Sequence, residues 1–264
     1  MSPIPQSHDN TLWHIGCRPG DIGRVVILVQ DPADVDRHAA LLEQARFVAA
    51  HREFVTMTGR LQGLEVSIIS VGLGGPCMAI AVEELKMAGA AALVYLGEMA
   101  PLPGSRGTDE LVIPWAAVRD ELTSQQYVPL PYPALADPDV AAALRRSARR
   151  QGHEPHMGLI LSTDSCLRHS QAAQSPLATE LQRLNEVCSR AGVLGMELAV
   201  STLFVVSRTL GIHAGALLSV GADWPDVADA MFRVALGAVQ ELIDTPHDAP
   251  GAPLGGLDLH AINC

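Results

Sequence analysis

Apolar residues follow two rhythms along this 264-residue chain. Short Val/Ile/Leu runs bounded by glycine, such as RVVILV at 24–29, alternate with stretches whose apolar positions recur every three or four residues. The first rhythm suits strands buried on both faces, and the second suits helices that bury one stripe. Strands are predicted at 24–29, 53–60, 64–71, 91–96, 110–114, 156–161 and 213–220, and helices at 32–45, 76–87, 137–150, 177–190, 197–210 and 225–243. Asp137-Pro138 and Asp223-Trp224-Pro225 read as helix starts, with an acid near the cap and proline in the first turn. Gly192 and Gly211 read as stops.

Strands alternating with helices predict one α/β domain over residues 1–244, its mixed or parallel sheet covered on both faces. No internal repeat and no Pro/Ser linker divides it. The segment 245–264, rich in Pro and Gly, reads as an extended or disordered tail.

Composition narrows the function classes. The chain is 48% hydrophobic and 18% charged, which excludes a disordered body, and its net charge of −11 argues against nucleic acid or an anionic membrane as partner. Arg145, Arg146, Arg149 and Arg150 share a short basic helix face, which reads as solvated surface. No apolar run approaches the roughly 18 residues of a membrane span, and residues 1–10 lack a signal-peptide apolar core. Cys17, Cys77, Cys166, Cys188 and Cys264 are scattered without CxxC spacing, and the histidines form no HExxH pair. These features predict a cytoplasmic protein with reduced thiols and neither metal nor cofactor.

The loop after the first strand is the chemical puzzle. Such loops usually hold anions on converging backbone N–H groups, yet Gln30-Asp31-Pro32-Ala33-Asp34-Val35-Asp36 has no glycine and several carboxylates. Other blocks supply context: HIGCRPGDIG (14–23), AAHREFVTMTG (49–59), VGLGGPCMAIAVEELKMAG (71–89), STDS (162–165) and GVLGMELAVSTL (192–203). In order and spacing they resemble the nucleoside phosphorylase superfamily, most closely its uridine phosphorylases. The resemblance implies an α/β domain with a central mixed, partly barrel-like sheet flanked by helices. It also implies a homodimer or hexamer and cleavage of a nucleoside N-glycosidic bond, phosphate attacking C1′.

Carried over residue by residue, the resemblance implies an altered site. The phosphate-admitting glycine and phosphate arginine of the first loop fall on Gln30 and Asp34. A second phosphate arginine falls on Tyr95, ahead of Gly97, and a phosphate- and ribose-binding threonine on Glu98. Arg52 keeps a phosphate cation that crosses from a neighbouring subunit, and His14 matches a histidine that crosses to the ribose 5′-hydroxyl. Met196, Glu197 and Leu198 match the ribose motif, whose second glutamate is replaced by Ala199. At the base station the stacking aromatic becomes Cys166, and Arg168 lies near where an arginine would read the base. Asp223 matches either an acid that protonates the leaving base or simply a helix cap; His14 equally reads as an interface histidine without a ligand. Gly72, Gly74 and Gly75 read as a tight turn, and Met78, Met87 and Met99 as core.

A carboxylate beside a phosphate dianion costs several kcal/mol at an effective dielectric near 20. Ordinary phosphorolysis is therefore not expected. Three readings remain open: hydrolysis, with Asp34 or Glu98 as base and Asp223 as acid; a repurposed biosynthetic enzyme acting on a modified ligand; and a non-catalytic binding or storage protein.

Overall fold

The computed structural model describes residues 10–103, 111–220 and 226–244. Ten strands form one mixed sheet. They are β1 (Val25–Val29), β2 (Glu43–His51), β3 (Phe54–Leu61), β4 (Leu64–Ser70), β5 (Ala92–Pro101), β6 (Val112–Asp120), β7 (Ala134–Leu135), β8 (His156–Thr163), β9 (Val193–Glu197) and β10 (His213–Val220). The order is β10-β6-β8-β9-β5-β1-β4-β3-β2, and a further β10–β5 pairing closes β5, β10, β6, β8 and β9 into a barrel. Beyond it, β1 pairs in parallel with β5 and β4, and the sheet continues as the antiparallel ribbon β4-β3-β2.

The helices are α1 (Pro32–Ala39), α2 (Gly75–Ala88), α3 (Pro138–Arg150), α4 (Cys166–Ser170), α5 (Ala178–Arg190), α6 (Val200–Thr209) and α7 (Asp226–Asp244). One core cluster joins α2 and α6 to the sheet, with Tyr95, Phe54 and Phe204 among its fully buried side chains. A second lies between α3, α7 and the opposite face, around Phe232 and Leu144. Burying each such side chain stabilises the fold by about 1.5–3 kcal/mol, and two layers of helices leave the strands apolar on both faces. Both predicted helix stops hold: Gly192 and Gly211 take φ of 79° and 66°, which residues with a Cβ adopt only under strain.

Three expectations are corrected. The helix expected over 32–45 ends at Ala39, and residues from Glu43 form β2. EQARFVAAH is a weak strand by composition; its antiparallel pairing with β3, from Glu43↔Arg60 to His51↔Phe54, overrides local preference. Strand β9 was not anticipated. It is short and continuous with α6, which begins at Val200 instead of 197, and it exists because it bridges β8 and β5. Finally β5, β6 and β8 run on to Pro101, Asp120 and Thr163, because barrel closure supplies partners beyond the apolar runs. Among the described residues no helix is long and apolar enough to cross a membrane. Asp223 and the segment 245–264 lie outside the described residues.

Candidate functional site

The turn from β1 into α1 is made by Asp31. Its Oδ1 accepts the Ala33 N–H at 2.8 Å, and Pro32 sets the first helical turn, so this carboxylate is a helix cap. One turn further, Asp34 is 5% exposed. Its cation is Arg37, three residues on at 3.6 Å, and the Arg37 Nε also holds Asp229 of α7 at 2.8 Å. Arg52 sits elsewhere in the chain, at the exposed tip of the β2–β3 hairpin with φ of 57°.

Gln30, Asp31, Pro32, Asp34, Leu73 and Glu98 line a cavity of about 390 Å³ at the C-terminal end of β1 and beside β5. No basic side chain lines it. The Glu98 side chain is exposed there and makes no hydrogen bond or ion pair with any described residue. Behind the wall lies Tyr95, 1% exposed, its phenol hydrogen-bonded to the Gln30 side chain. A Cβ on Gly97 would stand 2.7 Å from the Tyr95 Oη, so the phenol packs where only glycine leaves room. Burial, then the charges of Glu197 and Glu98, raise the Tyr95 pKa far above its ordinary value and keep the phenol neutral.

The Glu197 charge that acts on Tyr95 belongs to a buried polar network. Glu197, 2% exposed at the end of β9, accepts the Ala199 N–H at 2.5 Å, the Val200 N–H at 2.9 Å and the Ser162 hydroxyl, and so caps α6. Burial pushes its pKa up to about 7 against these hydrogen bonds, with Glu121 adding to the rise. Glu121 is 1% exposed and accepts the Ser124 N–H and hydroxyl, the Ser201 hydroxyl at 2.9 Å and the Thr202 hydroxyl at 3.3 Å. Ser162 and Ser201 join the two carboxylates, the Ser201 N–H donating to Ser162 Oγ at 2.9 Å.

Cys166 opens α4, and burial followed by the Glu197 charge raises its thiol to about 11. Arg168 donates from Nη2 to Asp120 Oδ2 at 2.9 Å. Met196 is fully buried in a core cluster with Leu102, Leu161, Cys188 and Val193, and Leu198 is half-buried beside it. His14 lies at the opposite end of α2. Its Nδ1 is 2.6 Å from the buried Glu84, which also takes the backbone N–H groups of His14 and Ile15.

The structure gathers Gln30, Asp34 and Glu98 around one cavity, with Tyr95 and Gly97 behind it; Glu197, Cys166 and Arg168, at and after the ends of β9 and β8, are not among its lining residues. Within one chain it does not bring His14 or Arg52 to the cavity lining. Sequence reasoning missed Asp120, Glu121 and His169. Ending β6 at residue 114 hid the first two; carried to the strand's true end, Asp120 and Glu121 stand at the carboxyl edge where α/β sheets place their sites. Among the described residues no group of three or more His, Cys, Asp or Glu side chains is placed to hold a metal ion.

A closed sheet with a cavity at the carboxyl ends of its parallel strands is the place where α/β proteins commonly bind small molecules. The chain belongs to the Phosphorylase superfamily, whose model matches residues 24–242. It is 36% identical over 221 residues to the uridine phosphorylase of Thermococcus kodakarensis, covering 83% of this chain and 80% of that one. Against the uridine phosphorylase of Treponema pallidum identity is 32% over 247 residues, 89% and 96% of the two chains. The guanosine phosphorylase of Halorubrum lacusprofundi is 30% identical over 210 residues, 80% and 83% of the two.

Proposed function

We propose that this protein cleaves the N-glycosidic bond of a nucleoside or nucleoside-like ligand, with water in place of phosphate as nucleophile. Membership of a superfamily whose relatives are named uridine and guanosine phosphorylases supports the bond. One observation carries the choice of nucleophile: within one chain, among the described residues, the cavity is lined by Asp31, Asp34 and Glu98 and by no cation, which leaves Arg52 of a second copy to pair with these carboxylates. Each carboxylate within about 4 Å of an anion opposes it by roughly 4 kcal/mol at an effective dielectric of 20.

The carboxylates divide their roles. Asp31 caps α1 and Asp34 faces Arg37, whereas Glu98 is exposed to the cavity without a counter-ion. Glu98 is therefore the general base, taking a proton from the attacking water, which general-base catalysis rewards with about 10²–10⁴-fold. Gln30, backed by the neutral Tyr95 phenol, offers its amide to the ligand. Glu197 holds the β9–α6 turn against the ribose, flanked by Met196 and Leu198, and Asp223 supplies the acid for the leaving base. His14 and Arg52 enter the site from a second copy, in a homodimer or a hexamer. A second reading, a repurposed enzyme for a ligand bearing positive charge, is favoured by the same cation-free lining.

The test is release of free base from a panel including uridine and guanosine, in phosphate-free buffer and with added phosphate. Release independent of phosphate, abolished in Glu98→Gln and only reduced in Asp34→Asn, is expected. Release that requires phosphate overturns the reading, and binding without any base release favours the second one.

A further inference from the structure

Helix α1 carries a histidine that the proposed mechanism does not use. His38 is 1% exposed and stacks face to face on the buried Phe232 of α7, with ring centroids 4.3 Å apart and planes 3° from parallel. The stack leaves Nε2 3.8 Å from Oδ1 of Asp229, one turn earlier on α7. Neither ring nitrogen completes a hydrogen bond among the described residues, although the Ala228 backbone stands near enough to favour a protonated ring. Burial outweighs that pull and the charges of Asp34 and Asp229, holding the ring below its ordinary value of 6.5 and neutral at pH 7.

The same Asp229 oxygen is held by Arg37. Its Nε lies 2.8 Å from Asp229 Oδ1, and its Nη1 lies 3.6 Å from Oδ1 of Asp34, a residue of the cavity wall. An unbroken path therefore runs from the ring through Asp229 and Arg37 to the cavity. Asp34 and Arg37 on α1 and Asp229 on α7 are the charges that act on the ring most strongly, while Asp36 and Arg233 on the same helices are exposed. Of the strands beneath α1, β1 carries no charged side chain. The single charged residues of β3 and β4 are engaged elsewhere, Arg60 with the Gly63 carbonyl and Glu65 with Arg46.

A neutral ring leaves Arg37 shared between two carboxylates. A ring that gains a proton puts a cation beside Asp229 and competes with Arg37 for its oxygen. The group of Asp34, Arg37, Asp229 and His38 then passes from one net negative charge to none. We propose that His38 is a proton-operated switch on the β1–β5 cavity: its protonation takes Asp229 from Arg37, turns Arg37 to Asp34, and admits anions that the cavity rejects while the ring is neutral. This rests on the reading that the cavity is the ligand site. It does not need turnover, since anion binding is an equilibrium property.

The experiment is calorimetric titration of the full chain with sulfate, a dianion whose charge is constant between pH 5 and 8, at low salt. Wild type binds sulfate on the order of tenfold more tightly at pH 5 than at pH 8, the effect of one added positive charge on a nearby dianion. His38→Gln cannot take the proton and binds weakly at both pH values, within about twofold, which separates the switch from the general rise caused by the other histidines. Asp229→Asn gives Arg37 to Asp34 without a proton and binds tightly at both. The Asp229 side chain is 42% exposed, so this variant tests the switch even where loss of the buried ring unsettles the fold. Glu98→Gln removes a wall charge, raises affinity at both pH values and keeps most of the ratio, which places the sulfate in the cavity. The proposal is overturned by a wild-type ratio near one, by a ratio that survives His38→Gln, by weak binding to Asp229→Asn, or by indifference to Glu98→Gln. Intact ratios with no nucleoside cleavage in any buffer would sink the hydrolytic reading alone.

Discussion

Asp120 and Glu197 end strands that flank β8, yet the protein treats the two carboxylates oppositely. Asp120 faces a guanidinium and an imidazole, and its pKa is lowered. Glu197 receives only neutral hydroxyl and amide donors and lies near a second carboxylate, and its pKa rises to about 7. Around Glu197 the hydroxyl and amide hydrogen bonds do not offset desolvation, whereas around Asp120 the imidazole, guanidinium and hydroxyl together do. The same contrast holds between the Asp120–Arg168–His169 cluster, where charges are paired, and the β1–β5 cavity, where Asp34 shares Arg37 with Asp229 and the Glu98 side chain has no ion-pair partner among the described residues. Among the described residues the cavity is the region whose charges are least compensated, which is why the proposed function places the ligand there.

The strongest attack on this contrast is kinetic. Glu98→Gln removes the unpaired carboxylate and is expected to lower the rate of phosphate-independent base release at least about 100-fold, with little change in thermal midpoint. Asp34→Asn, acting on a carboxylate already partnered, is expected to cost less than about tenfold. Equal effects would erase the distinction between the two.

Next comes the paired region. His169→Ala leaves Asp120 and Asn185 without the ring that joins them and opens a cavity in a site with no solvent access. A loss on the order of 3 kcal/mol in unfolding free energy is expected by denaturant titration. A loss below about 1 kcal/mol would show that the cluster is not held as a unit.

Acid and base titration separate the carboxylates by sign. Glu197 binds its proton more tightly folded than unfolded, so its contribution is fully present below its ordinary value of 4.5 and is lost as pH rises through about 7. Asp120 behaves inversely: its contribution is present above 3.8 and lost as pH falls through its depressed folded value. Glu197→Gln should remove a fall in stability on the order of 3 kcal/mol between pH 4.5 and 8, whatever constant offset the substitution adds. An unchanged slope across that window would mean Glu197 ionises as an ordinary carboxylate. Smallest of all, Arg37→Ala at a half-buried pair is expected to cost about 1 kcal/mol or less in thermal unfolding.

Much of the fold was legible in the sequence because its signals are local. The RVVILV and HAGALLSV runs are continuous apolar strands, and Asp137-Pro138 carries its own cap, with Asp137 Oδ1 accepting the N–H groups of Asp139 and Val140. The local pattern carries a helix to residue 45 and assigns no element to 46–51; only β3 alongside makes 43–51 a strand. The site divided the same way. The resemblance, carried over residue by residue, placed Gln30, Asp34 and Glu98 around one pocket, and they line one cavity. Asp120, Glu121 and His169 could not, because their partners lie 80 residues away in the case of Ser201 and 49 in the case of Asp120 with His169.

By itself, then, the sequence determined the alternation of strands and helices, their caps and stops, and the acidic character of the first loop, all of which depend on residues within a few positions of one another. Tertiary structure alone decided the closure of the barrel, the birth of β2 and β9 as strands, and the state of each carboxylate. The reason is physical: whether a buried acid is a cap, an ion pair or an unpaired base depends on what distant segments bring within about 4 Å of it, and no local pattern encodes that neighbour.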